Sequence, residues 1–251
     1  MTDNNNADLP LCKPLTSYHD GELITEVQSE FQKIEILKHP LYGHQLVIDG
    51  DLQISESDEA YNQAMVAPLL SKDHIEEIAI LGGGDGGVLK EALTGLRDRP
   101  EFRKATQIEI DHQVIRLCKQ YLSAFNHNAF EDPQAEVIIG DALGFIDNTR
   151  RLDGVIYDLT MDPIREGYDH AEYIQFILKT IRKSLKPGGI ISMQCCGQCS
   201  ESKAQEQRRQ WLLEQIHRCA NELFVGVIEQ HVYVPSFHEM WTFLAAVKPE
   251  T

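Results

Sequence analysis

The stretch IAILGGGDGGVLKEAL, residues 78–93, decides the fold, because an apolar strand, a glycine-rich turn and a helix follow one another directly. Its glycines Gly82, Gly84 and Gly87 have the G-x-G-x-x-G spacing of a nucleotide-binding turn. Such a turn normally offers free backbone N–H groups to a phosphate at the start of the helix. Here Asp85 places a carboxylate among the glycines, which is unfavourable for a phosphate.

Apolar strands and amphipathic helices alternate outward from this turn. The alternation predicts a doubly wound, mainly parallel seven-stranded sheet of the Rossmann-like type. Its strands are expected at EEIAIL, KATQIEI, AEVIIGDA, LDGVIYDL, GIISMQ, GVIEQHVYV and MWTFLAAV, with KPGG (186–189) closing the helix before GIISMQ. Upstream, HQLVIDGDLQIS (44–55) predicts a hairpin that turns at Asp49 and Gly50, and a helix is expected over 57–70.

Three segments follow from this pattern: a disordered leader (1–17), an N-terminal β-strand domain (18–57) and a catalytic domain (58–251). The chain is acidic, with 39 Asp and Glu against 23 Lys and Arg and a formal net charge of −16. Such a surface repels nucleic acid and anionic lipid, so neither nucleic acid nor a membrane is expected as a partner. The polar N-terminus lacks the features of a signal peptide, and six scattered cysteines indicate reduced thiols and hence the cytoplasm.

The segment MQCCGQC contains Cys196 and Cys199 at a spacing shared by redox and zinc sites. A zinc site would need two more ligands, and the chain has neither a second C-x-x-C nor an H-x-x-x-H pattern. A thioredoxin-like site would need the motif at a helix start after the first strand. We therefore expect buried thiols and no metal.

Four acidic residues fall at or just after the predicted carboxyl ends of successive strands: Asp85, Glu109, Asp141 and Asp158. Any one of them alone is as easily explained as the cap of the following helix. Ligands of doubly wound sheets bind beyond the carboxyl ends of the strands, so four acids in register predict one shared crevice.

These acids favour an S-adenosyl ligand over a dinucleotide. Glu109 lies 22 positions beyond Gly87, close to the spacing at which an acid binds ribose hydroxyls in dinucleotide folds. Asp141 suits the exocyclic amine of an adenine. Asp85 would repel a pyrophosphate but attract a sulfonium. Two crevice acids would also disfavour the α-carboxylate of ordinary S-adenosylmethionine, so the hypothesis is the decarboxylated form, whose tail ends in an ammonium.

Several motifs together resemble a known family. LYGHQLVIDGDLQISESDEAYNQAM, ILGGGDGGVLKEAL, IEID, GDA and VIYDLTMDPI look like the polyamine aminopropyltransferases, the spermidine and spermine synthases, from about Tyr18 to Lys248. Three details are closer to spermine synthase than to spermidine synthase. After the fourth strand the chain has DLTMDP where spermidine synthases have a D-S-S-D-P-like run, and Tyr61 stands one position earlier than the usual tyrosine of spermidine synthases. Near the C-terminus, VPSFHEMW is similar to the spermine synthase pattern P-S-Y-x-E-x-W. Phe237 departs from that last pattern, where the family has a Tyr.

The resemblance implies transfer of the aminopropyl group of decarboxylated S-adenosylmethionine, a co-substrate, to an amine, with release of methylthioadenosine and no prosthetic group. It implies Asp158 as the proton acceptor and Asp85 as the residue that holds the reacting ends. The residues implied at the donor are Gln32, Gly82, Gly84, Glu109, Asp141 and Ala142. Those implied along the acceptor channel are Tyr61, Gln63, Asp162, Gln194 and Glu239. Members of the family are commonly dimers or tetramers, so a homodimer is expected.

Spermidine, which would give spermine, is the acceptor that these details favour, and putrescine, agmatine or another diamine is the alternative. A longer acceptor needs acids spread along its channel, which Asp162 and Glu239 could supply. Two other interpretations stay open on the same fold: an S-adenosylmethionine-dependent methyltransferase, and a polyamine-binding protein without catalysis.

Overall fold

A computed structural model describes residues 20–160, 163, 167–200 and 202–250. Its N-terminal sheet is antiparallel, with the strands in chain order. These strands are β1 (Glu22–Gln28), β2 (Lys33–His39), β3 (Gly43–Ile48) and β4 (Asp51–Ser55). Asp49 and Gly50 join β3 to β4 with φ angles of 52° and 87°, the left-handed pair of a type I′ turn, which confirms the predicted hairpin.

The second sheet has seven strands in the order β10-β11-β9-β8-β5-β6-β7. The strands are β5 (Glu77–Gly82), β6 (Lys104–Glu109), β7 (Ala135–Ile139), β8 (Leu152–Asp158), β9 (Leu185–Gly197), β10 (Val225–Val234) and β11 (Glu239–Val247). From β9 to β7 the neighbours run parallel, and β10 and β11 pair antiparallel at one edge. The predicted doubly wound, mainly parallel sheet is confirmed.

Helices cover both faces of this sheet and bury two apolar cores. The helices are α1 (Glu59–Leu70), α2 (Gly87–Leu96), α3 (His112–Tyr121), α4 (Ser123–Asn126), α5 (Ala142–Asn148), α6 (His170–Ser184) and α7 (Lys203–Leu223). The first four helices contribute to one core and the last three to the other. The central strands β5 and β8 are covered on both faces, which explains their almost continuous apolar sequences. Within the described ranges, no helix combines the length and apolar character that a membrane crossing requires.

The strand order places a crevice at the centre of the sheet. The chain runs from β5 outward to β6 and β7 and then returns to β8 on the other side of β5. Ligands of open parallel sheets bind at this kind of reversal, beyond the carboxyl ends of the strands. Gly82 at the end of β5 and Asp158 at the end of β8 are register partners there. The crevice therefore opens between the glycine turn and Asp158.

One segment differs from its prediction. KPGG, residues 186–189, lies inside β9 instead of closing a helix, and α6 has already ended at Ser184. The Gly188 N–H donates to the Lys248 carbonyl over 2.9 Å, and the Lys248 N–H donates to the Gly189 carbonyl over 2.8 Å. Pairing with the end of β11 thus extends a strand into a segment whose local sequence indicates a helix stop.

Candidate active site

The glycine turn between β5 and α2 carries its own anion. Asp85 Oδ1 accepts a hydrogen bond from the Gly87 N–H over 2.8 Å, at the first residue of α2. That N–H is one of the groups that a nucleotide-binding turn would offer to a phosphate. Because Asp85 is only 9% exposed, a phosphate at this turn would meet a carboxylate in a nearly dry environment. The turn is therefore unfavourable for a phosphate and favourable for positive charge.

Two more carboxylates lie against the same turn. A Cβ atom added at Gly83, where φ is +67°, would lie 2.8 Å from Asp158 Oδ2. One added at Gly84 would lie 2.8 Å from Glu109 Oε2. Glycine is required at both positions because a side chain would displace one of these carboxylates. Asp85, Glu109 and Asp158 thus gather in one crevice, and we call these three residues the acid cluster.

The surroundings of the acid cluster raise the pKa values of all three of its members. In the part of the chain that the structure describes, no Lys, Arg or His side chain pairs with any of its three carboxylates. Burial raises the pKa of Asp85 to about 7, with repulsion from Asp158 as the second cause. Burial also raises the pKa of Asp158 to about 6 and the pKa of Glu109 above its ordinary value. Since a neighbouring positive charge would stabilise all three ionised acids, the cluster has the character of a cation site.

Tyr61 of α1 adds a hydroxyl to the cluster. It donates to Asp158 Oδ1 over 2.7 Å, and its ring packs edge-on against Phe243 and Phe237 at centroid distances of 5.1 Å and 6.3 Å. Burial, followed by the charge of Asp158, holds the pKa of Tyr61 well above its ordinary value, so the hydroxyl stays a donor. This leaves Asp158 Oδ2, the oxygen beside Gly83, without a hydrogen-bond partner among the described residues.

The turn between β1 and β2 supports the Glu109 side of the crevice. Glu109 Oε1 accepts from the Asp111 N–H over 2.9 Å, and Asp111 is itself fully buried. The Asp111 carboxylate accepts from the Ser29 hydroxyl over 2.5 Å and from the Gln32 amide over 3.2 Å. The N-terminal sheet thereby brings Gln32 to the same side of the crevice as Glu109.

Asp141 does not join the acid cluster. It is exposed, and its Oδ1 accepts from the Leu143 N–H over 3.0 Å, which makes it the N-cap of α5, while the next residue, Ala142, is buried. The Gly140 N–H donates to the Glu109 carbonyl over 2.9 Å, so Asp141 stands at the same edge of the sheet. Three of the four predicted acids thus form the cluster, and the role of Asp141 in the crevice stays a prediction beside its observed role as a helix cap.

The acceptor-channel candidates are less closely grouped than the acid cluster. Gln194 is buried, and its amide donates to the Leu159 carbonyl over 2.5 Å and accepts from the Trp241 indole N–H over 3.1 Å. Both ends of this amide are thus occupied. Glu239, at the start of β11, is half-buried, and its Oε2 accepts from the Cys199 N–H over 2.7 Å.

Two further candidates lie apart from these residues. Gln63 is exposed on α1, and because it follows Tyr61 by two positions it lies on a different face of that helix. Asp162 lies outside the described residues. Among the candidates beyond the acid cluster, Tyr61 alone is in hydrogen-bond contact with it in the described part of the chain.

The C-x-x-C segment is only partly buried. Cys196 is a buried free thiol, as predicted, whereas Cys199 is half-buried. Burial raises the pKa of Cys196 to about 11, so this thiol stays protonated and poorly nucleophilic.

Two residues that join the N-terminal part of the chain to the loop between β10 and β11 were not predicted from the sequence. Asp58, directly before α1, is fully buried and accepts hydrogen bonds from the N–H and the hydroxyl of Ser236, 178 positions away. Tyr42, in the turn between β2 and β3, is hydrogen-bonded to His238 Nε2 at 2.8 Å. An Asp before a predicted helix is a local signal, but that signal predicts a helix cap and not this partner. No local signal marks Tyr42.

Two family models cover most of the chain. The model of the spermine/spermidine synthase domain matches residues 58–251, and that of the spermidine synthase tetramerisation domain matches residues 22–56. The first match contains the whole acid cluster and the second contains the four-stranded sheet.

Known relatives and solved structures agree with these matches. The polyamine aminopropyltransferase of Aeropyrum pernix is 32% identical over 235 residues, which cover 92% of this chain and 71% of that protein. The polyamine aminopropyltransferase 2 of Pseudomonas aeruginosa is 26% identical over 231 residues, which cover 91% of this chain and 63% of that protein. The spermidine synthase of Thermotoga maritima superimposes with a TM-score of 0.74 at 22% identity, covering 92% of this chain and 73% of that chain. A spermidine synthase in complex with the transition state analogue AdoDATO matches with the same values.

Proposed function

The chain belongs to the spermine/spermidine synthase family of polyamine aminopropyltransferases, and we propose that it transfers the aminopropyl group of decarboxylated S-adenosylmethionine to spermidine. The products are then spermine and methylthioadenosine. The observation that carries this proposal is the acid cluster, one buried and two half-buried carboxyl groups beside a glycine turn, with no cationic partner in the described ranges. Both substrates are cations, and either would place a positive charge beside the cluster.

The charge of the site supports the choice of donor. Asp85 takes the helix N–H that a phosphate would otherwise bind, which disfavours dinucleotides. A sulfonium beside Asp85 and Asp158 is favourable, whereas the α-carboxylate of S-adenosylmethionine would be repelled by the same pair. The decarboxylated donor keeps the sulfonium and ends in an ammonium.

The reaction is a displacement at carbon. The acceptor nitrogen attacks the aminopropyl carbon next to sulfur, a C–N bond forms as the C–S bond breaks, and the bonding pair leaves with the sulfur as a neutral thioether. A polyamine ammonium has a pKa near that of Lys, about 10.4, so it arrives protonated and must lose a proton before it can attack. Asp158 is the proposed proton acceptor, because no described residue donates to its Oδ2 and burial raises its pKa to about 6, closer to that of the ammonium. In-line positioning of the two substrates supplies the remaining rate enhancement.

Each candidate residue has a proposed role. Asp85 holds the reacting ends by hydrogen bonds, and the Tyr61 hydroxyl orients Asp158. The proposed donor residues are Gln32, Gly82, Gly84, Glu109, Asp141 and Ala142. The proposed acceptor residues are Tyr61, Gln63, Asp162, Gln194 and Glu239.

A panel of acceptors tests the proposal. The purified chain is incubated with decarboxylated S-adenosylmethionine and spermidine, putrescine or agmatine, and the products are identified by mass spectrometry. We expect kcat/KM for spermidine to exceed that for putrescine by at least about tenfold, a difference of about 1.4 kcal/mol. Equal or faster use of putrescine would overturn spermidine as the acceptor and leave aminopropyl transfer intact. Methylated products from S-adenosylmethionine, without aminopropyl transfer, would overturn the reaction itself.

The assembly, the location and the domain division are proposed on separate grounds. We propose a homo-oligomer, with the homodimer as its unit, because Leu23 and Ile24 of β1 and Leu41 of the β2–β3 turn are exposed and residues 22–56 match a tetramerisation domain. The proposed location is the cytoplasm, where the four buried cysteines, which are free thiols, would stay reduced. The division into segments 18–57 and 58–251 is retained as a proposal. Light scattering of the purified chain would report the number of copies.

A further inference from the structure

The loop between β10 and β11, residues 235–238, is held by the N-terminal part of the chain at two points. We call it the acceptor loop, because Phe237 contacts the Tyr61 ring and Glu239 follows immediately. Neither attachment point lies in the acid cluster, and neither has a role in the mechanism above. Both join this loop to residues that precede β5.

The first attachment is a buried carboxylate. Asp58 Oδ1 accepts from the Ser236 N–H over 3.0 Å, and Asp58 Oδ2 accepts from the Ser236 hydroxyl over 2.5 Å. The same carboxylate accepts from the Ser55 N–H over 2.7 Å at the end of β4. Since Asp58 is 0% exposed and directly precedes α1, it ties together the sheet, the helix that carries Tyr61 and the acceptor loop. A buried carboxylate with this many donors holds one geometry.

The second attachment is a tyrosine–histidine contact. Tyr42 is hydrogen-bonded to His238 Nε2 at 2.8 Å, and its ring stacks on His39 at a centroid distance of 4.5 Å. His39 is buried, and its Nδ1 accepts from the N–H groups of Leu41 and Tyr42, so the turn between β2 and β3 is itself well fixed. His238 has a φ of +56°, a left-handed conformation that a residue other than glycine adopts at some cost. His238 makes its contact with Tyr42 in this conformation.

Phe237 stands between the two attached residues, so both attachments determine its position. Its ring packs on Trp241 at 4.9 Å and edge-on against Tyr61 at 6.3 Å. Tyr61 in turn donates to Asp158. Phe237, Trp241 and Tyr61 thus form an aromatic wall, which lies next to the proposed proton acceptor. A shift of the acceptor loop would disturb this wall.

We propose that Asp58 and Tyr42 are positioning residues for the acceptor amine, which fix the acceptor loop so that its aromatic wall and Glu239 face the amine. The identity of the ligand rests on the proposed function, whereas the positioning of the loop does not. On the donor side, Ser29 has the corresponding role. Its hydroxyl donates to the Asp111 carboxylate, and the Asp111 N–H donates to Glu109. The N-terminal sheet is thereby inferred to contribute separately to the two substrate sites.

Steady-state kinetics with decarboxylated S-adenosylmethionine and spermidine test the inference. We expect Tyr42→Phe and Asp58→Asn to raise KM for spermidine about five- to tenfold, as for the loss of one or two hydrogen bonds, with KM for the donor within twofold of wild type. Ser29→Ala should give the opposite pattern, a raised donor KM and an unchanged spermidine KM. If Asp58→Asn does not fold, Ser236→Ala removes one of the same hydrogen bonds from the loop side.

Two matched controls separate positioning from general damage. Tyr121→Phe removes a half-buried hydroxyl that has no hydrogen bond within the described ranges. Asp153→Asn changes a buried carboxylate that accepts from two backbone N–H groups over 2.9 Å and 3.0 Å at the opposite end of β8. Neither control should change either KM by more than twofold.

The fluorescence of Trp241 reports on the loop without turnover. In a Trp211→Phe background this is the single tryptophan of the chain. Tyr42→Phe and Asp58→Asn should increase its quenching by acrylamide, and the two controls should not. Unchanged quenching together with an unchanged spermidine KM would overturn the inference. If wild type uses no amine at all, the proposed function fails, and quenching alone then decides whether these residues position the loop.

Discussion

The donor side and the acceptor side of the crevice are built in different ways. On the donor side, Asp85 lies just after β5 and Glu109 is the last residue of β6, and backbone N–H groups two residues further along hold their carboxylates. On the acceptor side, the contacts of Tyr61, Asp58 and Tyr42 join residues 97 to 196 positions apart. Local sequence thus holds the carboxylates of Asp85 and Glu109, with Ser29 and Gln32 of the N-terminal sheet adding support at Asp111, whereas the acceptor side depends throughout on how the two sheets are placed against each other.

Substitution of Asp158 should have the largest effect, because this residue belongs to both sides. Asp158→Asn removes the proposed proton acceptor and retains a group that the Tyr61 hydroxyl can donate to. We expect kcat for aminopropyl transfer to fall about 1,000-fold or more, the upper part of the range for general-base catalysis. Single-turnover assays with spermidine measure this, with Asp153→Asn on the same strand as the control. A variant that keeps a tenth of the wild-type rate would show that Asp158 is not the proton acceptor.

The difference between the two sides also explains what could be predicted. The strand, turn and helix around Asp85 are encoded within 16 residues, and parallel strands necessarily bring their carboxyl ends to one edge. Three acids of the cluster could therefore be placed together from spacing alone. The same reasoning leaves the role of Asp141 undecided, because strand-end position does not distinguish a ligand from a helix cap.

The acceptor side carries little local signal. The family resemblance identified Tyr61, but its packing against Phe237 depends on a loop that follows it by more than 170 positions. Gln194 has the residue type of a ligand, yet the Leu159 carbonyl and the Trp241 indole occupy its amide. Such pairings arise from the packing of distant elements and have no periodicity or spacing in the sequence.

The burial of Asp85, which has no cationic partner in the described ranges, predicts that the fold is less stable at higher pH. In an unfolded chain Asp85 has a pKa of about 3.9, and in the fold its pKa is about 7. Below pH 4 the carboxyl is protonated in both states and contributes no difference. Between pH 4 and 7 the unfolded chain releases a proton that the fold retains, so the free energy of unfolding falls as pH rises, by about 4 kcal/mol at most from Asp85.

Urea denaturation at pH 5 and pH 8 measures this loss. We compare the free energy of unfolding of Asp85→Asn with that of wild type at each pH. The variant's advantage should be about 2–4 kcal/mol larger at pH 8 than at pH 5, because the amide does not ionise. Asp153→Asn should give no such gain, since Lys186 pairs with that carboxylate at 2.8 Å. If wild type and Asp85→Asn lose the same free energy of unfolding between pH 5 and pH 8, the fold does not raise the pKa of Asp85 as proposed.

The next largest effect should be on the preference for decarboxylated S-adenosylmethionine over S-adenosylmethionine, in the variant Asp85→Asn. Asp85→Asn keeps an oxygen that can accept from the Gly87 N–H but removes the charge beside the turn. We expect its affinity for decarboxylated S-adenosylmethionine to fall about 100-fold and that for S-adenosylmethionine to fall less, because repulsion of the α-carboxylate is relieved. Isothermal titration of both ligands to both proteins gives the two ratios. Tighter binding of S-adenosylmethionine by the wild-type chain would favour a methyltransferase instead.

The smallest effect is expected for substitutions of Asp141, which lies at the edge of the donor side. Asparagine caps helices about as well as aspartate, so Asp141→Asn removes the charge and keeps the cap of α5, whereas Asp141→Ala removes both. If Asp141 binds the adenine amine, both variants should raise the donor KM about fivefold, and Asp141→Ala should also lose about 1 kcal/mol of stability. If capping is its only role, the donor KM stays unchanged in both variants and stability falls in Asp141→Ala alone. Donor KM and urea midpoints for the pair therefore decide whether the donor side has three working acids or four.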